Sequence, residues 1–243
     1  MITPTYFRPG TLHKDDGTIS EKPLPKGQNG EEWVLVDGTP ATCAQLGLYH
    51  FFQDRGPVDL VVSGPNYGRN STSLFSLSSG TIGGAMEAAV FKKRAIALSY
   101  AFFNRDHDPK IIAEASDQSV RVIEHLFSNW NSEVDLYTIN VPLVEGVSKN
   151  KVMYTDTLQN YWRSGSSFEE VDVEEDNVSG AEREKEIRHQ THEQESNPAP
   201  SSKTTSHRHK HFRWAPKFAD VYKSVEESSP GNDGWTVNQG WTR

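Results

Sequence analysis

An α/β fold, a mostly parallel sheet with helices on both faces, is what this sequence predicts, and three observations carry it. Short β-rich runs alternate with helical stretches at the spacing of βαβ units. Runs such as Leu60-Val61-Val62 are nearly continuous in apolar residues, as strands buried on both faces are. The loops leaving the strand ends, at 37–40, 63–70 and 99–108, are built from small and polar residues, where an open parallel sheet places its ligands.

The elements follow in order. The first 30 residues are broken by Pro4, Pro9, Pro23 and Pro25 and by Asp15-Asp16-Gly17, and read as extended chain and loop. A strand is expected at Trp33-Val34-Leu35-Val36. A helix then starts with Thr39 as cap and Pro40 at its first position, and Cys43, Leu46, Leu48, Phe51 and Phe52 form an apolar stripe up to Gly56. The second strand is Asp59–Ser63, followed by the glycine-rich loop Gly64–Asn70. The helix from about Ser79 to Lys92 carries Gly83, Gly84, Ala85, Ala88 and Ala89, which let its backbone lie close against a sheet. Ala95–Tyr100 is the third strand. A helix of about 20 residues runs from Pro109 to near Asn129. Val134–Val141 is the fourth strand, and Lys151–Thr157 the fifth.

Charge separates the chain into parts. Of a formal net charge of −8, all is accounted for between Glu169 and Glu195, where 11 Asp and Glu face three Lys and Arg. The rest is neutral, which excludes a strongly basic nucleic-acid-binding surface; no DNA partner is expected. Residues 169–206 are too poor in apolar groups to offset their ordering entropy, so a disordered acidic insertion is expected there. The expected organisation is an α/β core over 1–167, the acidic and His-rich insertion over 168–211, and a closing segment over 212–243. Cys43 is the only cysteine, so there is no disulfide framework or thiolate zinc cluster. No apolar run is long enough for a membrane span and no signal peptide is visible, so a cytoplasmic protein is expected.

Where chemistry belongs follows from the helix start at Ser79-Gly80-Thr81. Its free backbone N–H groups form a cradle for phosphate, and the side-chain oxygen of a nearby Asn suits a hard divalent cation such as Mg²⁺. The motifs also carry a resemblance. Asp37-Gly-Thr-Pro-Ala-Thr-Cys43, Asp59-Leu-Val-Val-Ser-Gly-Pro-Asn-Tyr-Gly-Arg-Asn70, Ser78-Ser-Gly-Thr-Ile-Gly-Gly-Ala-Met-Glu87 and Ala95-Ile-Ala-Leu-Ser99 occur in the order and spacing of the SurE family of metal-dependent phosphatases and nucleotidases. Asn160-Tyr-Trp-Arg163 and Asp233-Gly-Trp-Thr-Val237 extend the likeness more weakly, and the acidic insertion is similar to that of fungal members. The resemblance implies a three-layer Rossmann-like sheet and hydrolysis of phosphomonoesters or nucleoside monophosphates. It implies Mg²⁺ or Mn²⁺ held by two adjacent Asp, a Ser, and the Asn that corresponds to Asn66. Ser79, Gly80 and Thr81 would take the substrate phosphate, and a homo-oligomer is implied.

The paired Asp motif does not precede the matching region. Asp15-Asp16-Gly17 reads as a solvated turn, and Ile2–Arg8 resembles the segment that follows the family's serine loop. The expectation is therefore an N-terminally truncated member that lacks the first βα unit and three of four metal ligands, with little or no activity of its own. The alternative is a non-catalytic interaction protein that keeps the α/β scaffold and binds through the acidic insertion. Other candidates are read more simply: Asp106-His107-Asp108 as a capped loop, the histidines of 189–211 as solvated linker, and Cys43 as core.

Overall fold

A strand whose side chains are apolar or small on both faces belongs in the middle of a parallel sheet, and Arg94–Ala101 has that pattern. In the computed structural model, which describes residues 11–12, 19–20, 34, 36, 38–51, 56–104, 108–171 and 210–243, every residue from Ala95 to Ala101 is buried. The short strands β1 (Thr11–Leu12) and β2 (Ile19–Ser20) pair antiparallel. Helix α1 (Pro40–Leu46) leads to β3 (Leu60–Tyr67), then α2 (Thr72–Leu77) and α3 (Gly80–Val90). The central strand is β4 (Arg94–Ala101), followed by α4 (Pro109–Ser128) and β5 (Leu136–Pro142). The sheet runs β3-β4-β5, all parallel, with Val62 beside Ile96 and Ile96 beside Tyr137.

Alternation along β4 sorts the core into two layers. Ile96, Leu98 and Tyr100 pack with Ala115 and Leu126 of α4, while Ala95 and Ala97 pack with Ile82, Ala85 and Ala88 of α3. Helices thus cover both faces, as the sequence predicts. β3 differs from its sequence reading: Val62 is 40% exposed, because β3 is an edge of the described sheet rather than an interior strand.

Capping sets the helix starts. The Thr39 hydroxyl accepts from Thr42 N–H at 3.2 Å ahead of Pro40. The Ser79 hydroxyl accepts from Ile82 N–H at 3.1 Å, and Asp108 accepts from Lys110 N–H at 2.8 Å. Each satisfies one orphan donor of a first turn. After Leu46 the chain widens into a π-helical turn, Gly47–Phe51, which breaks the 3.6-residue period. Cys43 and Leu48 are buried as expected, but Phe51 is exposed for that reason.

Three further expectations change. The strand expected at Lys151–Thr157 is not formed: the segment makes single bridges to two different partners, Val152 with Thr242 and Asp156 with Asn232, so no ladder builds. The segment 64–67, expected as loop, is strand, with a register shift between Ser63 and Asn66. Of the small residues on α3, Gly84 makes the close approach, since a Cβ there would lie 2.7 Å from Ser63 Oγ and 3.2 Å from Pro40 O, whereas Gly83 faces open space. Trp33, Leu35, Asp37, Asp15-Asp16-Gly17, Arg105–His107 and residues 172–209, with the expected disordered insertion, lie outside the described residues.

The described residues fall into two compact units, Met1–Tyr161 with Val221–Arg243, and Trp162–Asp220. In the first, α5 (Phe218–Glu226) contributes Val221, Ser224 and Val225 as buried residues, and α6 (Asp233–Asn238) is capped by Asn232. In the second, β6 (Phe168–Val171) and β7 (His211–Trp214) form an antiparallel ribbon joining the two ends of the acidic segment. Glu169 of this ribbon is bonded by Arg213 at 2.9 Å and Lys217 at 3.3 Å.

Two predictions follow from this packing. Gly84→Ala drives a methyl group into Ser63 and Pro40 and should cost about 1–3 kcal/mol in urea unfolding, whereas Gly83→Ala, in open space, should gain about 0.5–1 kcal/mol. Equal effects would contradict this packing. The second concerns pH in the ribbon unit. Hydrogen bonds from Arg213 and Lys217 hold the Glu169 carboxyl below its ordinary 4.5. The Ser164 hydroxyl and the backbone N–H groups of Ser164 and Arg163 hold Asp220 below 3.8. A depressed folded pKa adds stability above the unfolded value and loses it as pH falls through the folded one. The Arg163 and Ser164 N–H groups are bonded to Asp220, so their amide signals in NMR should hold from neutrality to about pH 3.8 and shift only below it. A loss of order on raising the pH would contradict this assignment.

Candidate functional site

The carboxyl end of β3 and the amino ends of α1 and α3 come together around small residues. A Cβ on Gly80 would lie 3.1 Å from the Pro40 ring, and Gly84 abuts both Pro40 and Ser63, so side chains at these positions would force the three elements apart. At Gly64 (φ 128°) a Cβ would fall on the carbonyl oxygen of Leu98 in β4, which restricts this bulge to glycine. Sequence and packing thus fix the start of α3 against the end of β3.

Ser79 is the N-cap of α3: its hydroxyl takes Ile82 N–H and its carbonyl takes Gly83 N–H at 2.9 Å. Gly80 and Thr81 are the first two helical residues, and their N–H groups have no intramolecular acceptor among the described residues. Gly80 is exposed and Thr81 half-buried. The positive end of the helix dipole adds to their pull on an anion.

Asn66 stands next to last in β3, beside Ser99 of β4. Its Nδ2 donates to Gly68 O at 3.1 Å, which leaves Oδ1 as the available acceptor. No hydrogen bond joins Asn66 to Ser79, Gly80 or Thr81 among the described residues. A neutral amide oxygen is one hard donor, and Mg²⁺ ordinarily takes one or two carboxylates as well. Among the described residues, no group of three His, Cys, Asp or Glu side chains comes together. These residues do not, as they stand, fit a divalent cation. Asp37 and Asp106 lie outside them.

Beyond Asn66 the loop is held from below by a buried polar network that composition and periodicity do not reveal. Asn70 donates its backbone N–H to Asn140 Oδ1 at 2.8 Å and its Nδ2 to Ser99 Oγ at 2.7 Å. Its carbonyl accepts from Ser76 Oγ and from Arg243 Nη2, each at 3.1 Å. Thr72 has φ 67°, a costly conformation for a β-branched residue, and its N–H is held at 2.7 Å by Oδ2 of Asp233, which is fully buried. Asp233 Oδ1 also accepts from Leu158 N–H at 2.8 Å and Gly234 N–H at 2.7 Å, and Arg243 Nη2 lies 3.5 Å from Oδ2. Burial lowers the Arg243 pKa, and the nearby Asp233 charge opposes that shift. Asn160 accepts from Leu74 N–H at 3.1 Å and donates to Ser224 at 3.0 Å, so the weak motif around Asn160 serves as a second clamp on α2.

Arg69, in the same loop, donates to Phe102 O at 3.1 Å and sits over the Phe103 ring at 5.1 Å. Burial lowers its pKa. Sequence motifs point to Asn66, Asn70 and Asp233 as members of matching segments, but the strain at Thr72 and the part played by Arg243 have no sequence signal.

Comparisons with known proteins place this geometry in a family. The family model of survival protein SurE matches residues 8–164 of the 243. A Ruegeria pomeroyi protein described as 5'-nucleotidase SurE is 37% identical over 150 residues, covering 59% of this chain and 55% of that protein. A Saccharomyces cerevisiae protein described as a probable tubulin–tyrosine ligase is 47% identical over 135 residues, covering 54% of this chain and 18% of that protein. The chain thus spans about half the length of the bacterial relative and a smaller share of the yeast one. The crystal structure of the SurE protein from Aquifex aeolicus superposes with a TM-score of 0.55 at 19% identity, covering 99% of this chain and 73% of that one, which shows the shared fold. With well over half of its residues matched by the family's model, the chain belongs to the SurE family.

Proposed function

We propose that this chain carries the phosphate-binding half of a SurE-type phosphomonoesterase site, for nucleoside monophosphates or related phosphomonoesters. The observation that carries the reading is the pair of unengaged N–H groups at Gly80 and Thr81, with the Thr81 hydroxyl, at a helix start held open by its Ser79 cap. Family membership and the 5'-nucleotidase relatives support it. Ser79 keeps the donors aimed outward by satisfying Ile82 N–H itself. Asn66 offers one neutral oxygen at the end of β3 and would be a Mg²⁺ or Mn²⁺ ligand alongside carboxylates. Among the described residues, no group of three His, Cys, Asp or Glu side chains gathers to supply them. The 243-residue chain is therefore expected to bind phosphate and to hydrolyse phosphomonoesters feebly or not at all.

A second reading is favoured by a separate observation: the ribbon of β6 and β7 presents Phe168, Phe212 and Trp214 to solvent, each more than half exposed. An interaction protein built on the same scaffold would use such a surface, either with a second copy or with another partner.

The test pairs binding with turnover. Calorimetric titration with inorganic phosphate should give a measurable affinity that Thr81→Val weakens by about tenfold, the worth of one hydrogen bond to a charged group. Release of phosphate from p-nitrophenyl phosphate and from nucleoside monophosphates, with Mg²⁺ or Mn²⁺ added, should stay near background. Phosphate binding that is absent, or that Thr81→Val leaves unchanged, would overturn the site. Vigorous metal-dependent turnover would overturn the assignment of weak activity and direct attention to Asp37 and Asp106.

A further inference from the structure

We propose that Phe103, covered on one face by Arg69, is the stacking platform for the base of a nucleoside monophosphate whose phosphate sits at Gly80 and Thr81. This inference rests on the phosphate-site reading and names what selects the rest of the substrate.

Three aromatic side chains gather where β3 and β4 end. Tyr67, the last residue of β3, lies beside Tyr100 of β4, and its ring stacks on Phe102 with centroids 4.8 Å apart and planes 13° from parallel. Partners in a parallel pair share a face of the sheet. Tyr67 therefore goes with Tyr100 to the α4 side, and Asn66 goes with Ser99 to the side where Ala95 and Ala97 pack on α3. Phe103 joins neither ring among the described residues. One of its faces is taken by the Arg69 guanidinium, 5.1 Å from the ring centroid, yet Phe103 is 46% exposed, so its other face is the one left for a ligand. Arg69 is itself fixed, since its Nη2 donates to Phe102 O at 3.1 Å. No carboxylate pairs with Arg69 among the described residues, so its charge acts on the ring and on whatever stacks there.

The spacing suits a nucleotide. Gly84 of α3 lies level with Ser63 of β3. Gly80 is about one turn nearer the helix start, roughly 5.4 Å toward the carboxyl end of the sheet, which brings it level with Pro65 and Asn66. Asn66 pairs with Ser99, and Phe103 follows Ser99 by four residues, at most about 13 Å of chain. A bare phosphate or a short alkyl ester does not span from the helix start to the ring, whereas a sugar phosphate carrying a base does. Bases of every kind stack on aromatic side chains because each has a π-face, and Arg adds a cation–π contribution. A phenyl ring offers no hydrogen-bonding group to a base edge. The platform therefore selects for the presence of a base and not for which base it is.

The test is calorimetric titration of the full chain, without added metal, with adenosine 5'-monophosphate and with ribose 5-phosphate. The nucleotide should bind at least about fivefold more tightly, the worth of one stacked base. Phe103→Ala should abolish that preference and leave ribose 5-phosphate within about twofold of the unaltered chain, which also shows that the variant is folded. Phe103→Leu keeps an apolar side chain without a π-face, should behave the same way, and decides the matter where the alanine variant fails to fold. Phe103→Tyr keeps the ring and should keep the preference. Equal affinity for the two ligands, or a preference that survives loss of the ring, would overturn the platform and leave the phosphate site standing. Binding of neither ligand would overturn both.

Discussion

The fold around the candidate site depends on one buried carboxylate. Asp233, fully inaccessible, accepts backbone N–H groups from Thr72, Leu158 and its own neighbour Gly234, and lies beside the guanidinium of Arg243. These contacts tie together three segments distant in sequence: the loop after β3, the chain at 158, and the C-terminal stretch, with Leu158 and Asp233 75 residues apart and Thr72 and Asp233 161 apart. A buried charge without partners is very costly, and each hydrogen bond to a charged group is worth about 1.5–3 kcal/mol. That energy offsets the left-handed backbone at Thr72, which costs about 1–3 kcal/mol for such a residue. The strain is local, and its support comes from far along the chain.

This arrangement explains how a loop of small residues holds a fixed shape. Asn70 is bonded through its backbone N–H, its amide and its carbonyl, to Asn140, Ser99, Ser76 and Arg243. With its far end fixed this way and its near end fixed by Gly64 against Leu98, the stretch from Asn66 to Ser71 has little freedom. Helix α3 then starts against Pro40 and Ser63, with its first two donors outward. The proposed phosphate site rests on packing: Gly80 and Gly84 bring the helix in, and Ser79 keeps it capped. Metal binding is a separate matter of donor chemistry, for which the described residues offer the amide of Asn66.

Much of this was legible in the sequence, for reasons that can be named. Thr39-Pro40, Ser79 and Asp108-Pro109 carry their capping chemistry within a few residues, so α1, α3 and α4 start where expected. The alternating layers of β4 follow from a strand of small and branched residues. Non-local facts were not legible. Nothing in Lys151–Thr157 indicates that it bridges two different segments instead of forming a strand, and Val62 is exposed because β3 is an edge of the described sheet, which apolar composition does not encode. The π-helical turn after Leu46 moved Phe51 to the surface against its periodicity. Arg243 shows no motif, yet it bridges Asn70 and Asn140 and lies beside Asp233.

The most direct test of the central claim is the exchange rate of the Thr72 amide in Asp233→Asn, measured against the Ala97 amide in the middle of the sheet. If the buried carboxylate holds the loop, Thr72 should exchange at least about tenfold faster relative to Ala97 in the variant, because one side-chain oxygen is replaced by a donor that Thr72 N–H has to face. An unchanged ratio of the two rates would contradict the account, since the loop would then keep its shape without Asp233.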